Sequence, residues 1–132
     1  MKYAPELLLS ILCGVLIGLE RQIKRKAAGI RTCALVCLGS TLFTILSFHL
    51  EGSAGETRIA SNIVQGIGFI GAGTILRYQD KVTGLTTAAV IWISAATGMA
   101  VGFRAFWLAL GTTVLTVLVL VLFGLMEEKM ED

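Results

Sequence analysis

The chain has 132 residues, 55% hydrophobic and 15% charged, with a mean hydropathy of +0.82, which is more apolar surface than a soluble domain of this size can bury. That excludes an ordinary soluble module. The formal net charge of +2 is concentrated in a few places, which argues against an extended nucleic-acid surface.

A bilayer is the natural solvent for such a chain. A hydrocarbon core about 30 Å thick takes roughly 17–25 apolar helical residues per crossing. Uncharged stretches of that kind fall at residues 3–19 (broken by Glu6), 32–50, 59–76, 85–103 and 105–126. They predict an all-α fold, a single-domain bundle of five transmembrane helices over residues 1–132.

The first stretch has Pro5 in its opening turn, where proline is tolerated. Lys2 ahead of a short apolar run resembles a secretory signal, but no small-x-small cleavage site follows Leu19, so a retained helix is expected. Arg21, Lys24, Arg25, Lys26 and Arg31 follow, a cluster suited to orienting a span and attracting anionic lipid headgroups. Cys33 and Cys37 lie four apart in the second stretch; with Cys13 they fit small core residues rather than a redox or zinc pair. His49 has no companion ligand and is expected at the interface. Residues 50–58, with Gly52, Gly55, Glu51 and Glu56, predict an exposed loop.

The third stretch contains QGIGFIGAGTIL, residues 65–76, in which Gly66-x-Gly68-x-x-Gly71 has the spacing of a dinucleotide fingerprint. That chemistry needs a strand before the glycines and an acid about 20 residues after them. No acidic residue occurs between Lys81 and Met126, and the motif sits in an uncharged spanning segment. Glycines in a membrane helix instead let backbones approach closely. At 100° per residue, Gly66 and Gly73 share a side with Asn62, while Gly68 and Gly71 share another with Ser61 and Ala72. Two notched faces predict a central helix, with neighbours on both sides or with a second subunit on one, and four glycines in eight residues predict a weakened or unwound turn.

Asn62 and Gln65 at the start of this span, with Thr86, Thr87, Ser94 and Thr97 on the fourth, are the intramembrane polar groups, and interhelical hydrogen bonding is their expected role. A solute path is the alternative. Deep carboxylates, which magnesium sites recruit, are missing from the spans. At the charged rim, Glu20 and Asp80 are expected to pair with Arg21, Arg31, Arg77 and Lys81 across the ends of spans one to four. Trp92 and Trp107 suit packing and interfacial anchoring. The acidic tail, residues 127–132, is expected to fray.

Orientation follows from basic residues in short loops. Arg21, Lys24, Arg25, Lys26, Arg31, Arg77, Lys81 and Lys129 fall on one side, and Lys2, Arg58 and Arg104 on the other. Eight against three places the first loop and the C-terminus in the cytoplasm and the N-terminus outside.

Four motifs in order, Gly18-Leu-Glu-Arg-Gln22, Ala28-Gly-Ile-Arg-Thr32, Ile67-Gly-Phe-Ile-Gly-Ala-Gly73 and Gly84-Leu-Thr-Thr-Ala-Ala89, resemble the MgtC/SapB family of bacterial inner-membrane proteins. The resemblance implies a five-span domain with an external N-terminus. It also implies a role in adaptation to magnesium limitation and virulence-related stress, with inhibition of the F-type ATP synthase as one family activity. It points to Glu20, Arg21, Arg31, Thr32, Asn62, Gly66, Gly68, Gly71, Gly73, Thr86 and Thr87 as residues to test. Asn62 stands where glutamine is expected. The chain ends six residues after Met126, which matches the short SapB-like form without the ACT-type cytoplasmic domain.

The resulting expectation is a non-enzymatic, cofactor-free inner-membrane protein that associates with itself or a membrane partner complex. It has no nucleic-acid role and uses no bound metal. The alternative is a channel or carrier for magnesium or another small solute. Binding of anionic lipid by Lys24, Arg25 and Lys26 is compatible with either.

Overall fold

The computed structural model describes the backbone of residues 2–50 and 52–131, and side chains over 2–49 and 57–131. Among these residues it forms five helices, α1 (Ala4–Ile23), α2 (Ile30–Leu50), α3 (Gly52–Ala72), α4 (Leu85–Gly102) and α5 (Phe106–Glu131), with a hairpin β1 (Leu76–Tyr78) and β2 (Lys81–Thr83) between α3 and α4. By length and composition, α2, α4 and α5 suffice to cross a bilayer. α1 and α3 are similarly long but more polar: α1 includes Glu6, Glu20 and Arg21, and α3 includes Arg58, Ser61, Asn62 and Gln65.

Several boundaries depart from the hydropathy reading. Helix α3 starts at Gly52, so the loop expected over 50–58 is helical from that point; residue 51 lies outside the described residues. At its other end α3 stops at Ala72, and Leu76 begins a strand paired Leu76 to Thr83, Arg77 to Val82 and Tyr78 to Lys81. Alternating β-formers on either side of a two-residue turn favour the hairpin over more helix, and Gln79 takes a left-handed conformation in that turn (φ 52°). Gly84, at φ 87°, caps α4, and a Cβ there would strike the Thr74 carbonyl oxygen, so the Gly84-Leu-Thr-Thr motif opens on a position only glycine fits. The fraying expected over 127–132 is corrected over 127–131, where α5 stays helical; residue 132 lies outside the described residues.

The bundle centres on α2 and α4. α2 packs on α1, α3 and α4, and α4 packs on all four other helices. α3 packs chiefly against α2 and α4, so the expectation of a central third helix is corrected: it stands at the flank. Nor does it unwind at its glycines, the backbone being helical through Gly66, Gly68 and Gly71.

The glycines that draw helices together are different ones. Gly14 and Gly18 of α1 face α2, where an added Cβ would lie 2.5 Å from Ala34 Cα and 2.7 Å from Ile30 Cα. Gly98 and Gly102 of α4 face the other side of α2; a Cβ at Gly98 would collide with the Cys37 carbonyl oxygen, and one at Gly102 would lie 2.5 Å from Thr44 Cβ. Both pairs have the G-x-x-x-G spacing that lets membrane helices approach backbone to backbone. Cys13, Cys33 and Cys37 pack in these tight crossings as free, fully buried thiols. Ile17, Cys33, Val90 and Leu120 close the core where α1, α2, α4 and α5 meet.

Candidate functional site

Inside the bundle most of the buried hydroxyls are committed to backbone carbonyls. Thr41 Oγ1 donates across the α2–α4 crossing to Gly98 O (2.7 Å), and Cys37 Sγ to Ser94 O (3.1 Å). Thr44, Ser94, Thr97 and Thr113 each donate one turn back, to Ser40 O, Val90 O, Ile93 O and Ala109 O. The interhelical bonding expected of Ser94 and Thr97 therefore comes from α2, while their own hydroxyls serve α4. A polar group satisfied in this way stabilises packing and offers little to a passing ion.

α3 presents the opposite condition. Ser61, Asn62, Gln65, Gly66 and Gly68 are all exposed, and nothing lies within 4 Å of a Cβ built at Gly66 or Gly68. Gly71 alone of the expected packing residues meets a neighbour helix, its added Cβ lying 3.6 Å from Ala88 O; Ala72 is exposed, and Gly73 follows the helix end. Asn62 is the midpoint of α3 rather than its start. Between α2 and α3 runs a mainly apolar groove of about 550 Å³, lined by Gly39, Phe43, Asn62, Ile63, Gly66 and Ile70 among others. Gln65 is not among its lining residues.

The two ends of the bundle differ in chemistry. At one end, Tyr3 Oη and His49 Nε2 are 3.0 Å apart, and Arg104, in the α4–α5 turn with φ 60°, reaches Glu6 Oε1 at 3.0 Å. Glu6 is buried, and its Oε2 has no hydrogen-bond partner. His49 thus sits near the end of α2, joined to Tyr3, the residue that caps α1. Trp92 and Trp107 are exposed, pointing away from the packing between helices.

At the other end, the buried Arg21 donates to both oxygens of the buried Glu20, from Nε at 2.6 Å and from Nη2 at 3.1 Å. Lys24 Nζ lies 3.8 Å from Glu20 Oε1 and 2.8 Å from Glu128 Oε1, tying α1 to the last turns of α5. The hydrogen bond that Lys24 donates to Glu128 raises its pKa above the usual value, so the ammonium stays charged. Gly124 makes room for this lysine, since a Cβ there would stand 2.8 Å from Nζ. The network expected across spans one to four is therefore not the one formed: it joins α1 to α5. Arg31, Arg77 and Asp80 are exposed and take no part in an ion pair among the described residues, Thr32 is half-buried, and Arg77 Nε donates to Gln79 O at 3.4 Å.

The α1 and α4 motifs do converge. A polar cleft of about 720 Å³ is walled by Arg21 and Lys24 from α1, Thr86 and Thr87 from the first turn of α4, and Glu127 and Glu131 from α5. Sequence reading missed the α5 wall and the glycine crossings at 14/18 and 98/102. The i, i+4 spacing of those glycines was the available signal for the crossings.

The family model for MgtC matches residues 7–129. The chain belongs to the MgtC family. Among curated relatives, it is 44% identical over 125 residues to "Putative magnesium transporter YhiD" of Escherichia coli K12, covering 89% of this chain and 58% of that protein. It is 46% identical over 113 residues to Protein MgtC of Salmonella typhimurium LT2, covering 86% and 48%. It is also 46% identical over 93 residues to Protein MgtC of Brucella abortus 2308, covering 70% and 39%. The chain thus spans about half the length of these relatives. No solved structure matches it. MgtC membership accounts for the co-occurrence of the four motifs, and the fold shows where they stand: two at the polar cleft, one at the α1–α2 crossing and one on the flank helix.

Proposed function

We propose that this MgtC-family chain is a multi-pass protein of the bacterial inner membrane that serves magnesium homeostasis by associating, through α3, with a second copy or a membrane partner, and that it catalyses no reaction. Five spans, with the N-terminus outside, fit the eight-to-three distribution of basic residues. The magnesium link is carried by the relatives' names.

One observation carries the association reading: α3 exposes Asn62 and Gln65 beside two glycines with open space in front of them. Amides facing lipid without partners cost free energy that a second helix would recover by hydrogen bonding, and glycines allow it to come close. Asn62 in the groove is also what a transport reading would use.

Cysteine crosslinking in native membranes separates the two readings. Asn62→Cys and Gly66→Cys are expected to trap a dimer or heteromer, while Trp107→Cys on the α5 surface is not. Flux of magnesium in proteoliposomes that Asn62→Leu abolishes, with no α3 crosslink, would favour transport and overturn association.

A further inference from the structure

We propose that the cleft between α1, α4 and α5 holds the headgroup of a phospholipid bearing both a phosphate and a primary ammonium. This rests on the membrane reading above. The cleft's lining changes character along α5, from Leu120 and Phe123 to Glu127 and Glu131 at the helix end. That gradient, apolar inward and charged outward, matches a lipid entering from its chains to its headgroup.

The phosphate end is built from α1 and α4. Arg21 is 5% exposed yet lines the cleft, and Glu20 occupies two of its five N–H donors. Thr87 is 4% exposed and also lines the cleft, and its hydroxyl enters no hydrogen bond among the described residues, unlike Ser94 and Thr97 further along α4. It stands in the first turn of an 18-residue helix whose cap, Gly84, supplies no side-chain acceptor. The N–H groups of that turn have no intrahelical acceptor and attract anions.

The ammonium end is built from α5. Glu127 and Glu131 are one turn apart on the cleft face and pair with no cation among the described residues, whereas Glu128 is held by Lys24. Arg21, Lys24 and Lys26 are balanced in the lining by Glu127, Glu128 and Glu131. That balance disfavours a purely anionic headgroup and turns the anionic-lipid expectation toward a zwitterion. A primary ammonium donates hydrogen bonds to the two carboxylates; the quaternary ammonium of choline has no N–H to donate.

The test uses the full chain in detergent, with bound lipid counted by native mass spectrometry against phosphatidylethanolamine, phosphatidylcholine and phosphatidylglycerol of identical chains. Phosphatidylethanolamine should be retained about tenfold over the other two, the worth of a charge-assisted hydrogen bond at a partly solvated rim. Glu127→Gln with Glu131→Gln, both at exposed positions on the cleft face, should abolish its advantage over phosphatidylglycerol. Thr87→Val, which preserves shape where an Arg21 substitution risks unfolding, should weaken all three by about threefold.

Equal retention of ethanolamine and choline lipids, or a preference that survives the double glutamine variant, would overturn the proposal. So would competition by free glycerophosphoethanolamine at the lipid's own affinity, since that assigns the cleft to a soluble ester. A chain that alkaline washing strips from membranes sinks the membrane reading itself. A chain that resists washing but shows no lipid preference sinks only the headgroup site.

Discussion

Replacing Gly98 by alanine puts one methyl group into the α2–α4 crossing, where it meets the Cys37 carbonyl and lies 2.9 Å from Cys37 Cα. The obstacle is backbone, which no rotamer change can clear, so the helices must separate. Overpacking of this kind costs about 1–3 kcal/mol. Separation also stretches the 2.7 Å bond from Thr41 to Gly98 O, worth about 0.6–1.7 kcal/mol in a membrane interior. Alanine's better helix propensity returns about 1 kcal/mol. The net expectation is a loss of about 0.6–3.7 kcal/mol. Gly66→Ala gains the same propensity, about 1 kcal/mol, and its methyl meets nothing within 4 Å. The two variants should therefore move in opposite directions. Denaturant titration of the purified monomer, followed by helical circular dichroism, measures both. Equal shifts, or greater destabilisation by Gly66→Ala, would refute the assignment of close packing to α4 rather than α3.

Gly84→Ala, at φ 87° and against the Thr74 carbonyl, should destabilise the hairpin and the start of α4 by at least about 1–2 kcal/mol, seen as faster amide exchange over 76–88. Arg104→Gln leaves Glu6 buried without its cation and should cost about 1–2 kcal/mol in the same titration, which Glu6→Gln in the same chain should largely restore. Lys24 should be acylated faster at pH 9 in Glu128→Gln than in wild type, because the Glu128 hydrogen bond raises its pKa. By the same linkage, the Lys24–Glu128 contribution is fully present below the unfolded lysine value of about 10.4 and is lost as pH climbs through the higher folded value, so melts of wild type and Glu128→Gln should converge there.

What the sequence determined by itself was the apolar solvent and the succession of helices. Transfer of a side chain from water to hydrocarbon is a property of each residue, so runs of Leu, Val and Ile mark the apolar helices wherever the rest of the chain lies. Basic residues at 21–31 likewise separate one end from the other, and the four motifs identify the family. The charged rim was legible as composition but not as pairing: Lys24 finds Glu128, 104 positions away, because α5 runs alongside α1 in the same direction and ends beside it.

Only the tertiary structure decided what each glycine does. Gly98 and Gly66 are alike in sequence, each in an apolar helical run beside small residues. One faces the Cys37 carbonyl and the other faces open space. A glycine's role depends on the backbone that stands opposite it, which is a non-local fact. The local glycine count points to α3 as a centre, whereas the neighbours assign close packing to α1, α2 and α4 and leave α3 with an exposed face. The polar cleft was hidden for the same reason, its three walls coming from residues near 21, 87 and 127 that share no local pattern.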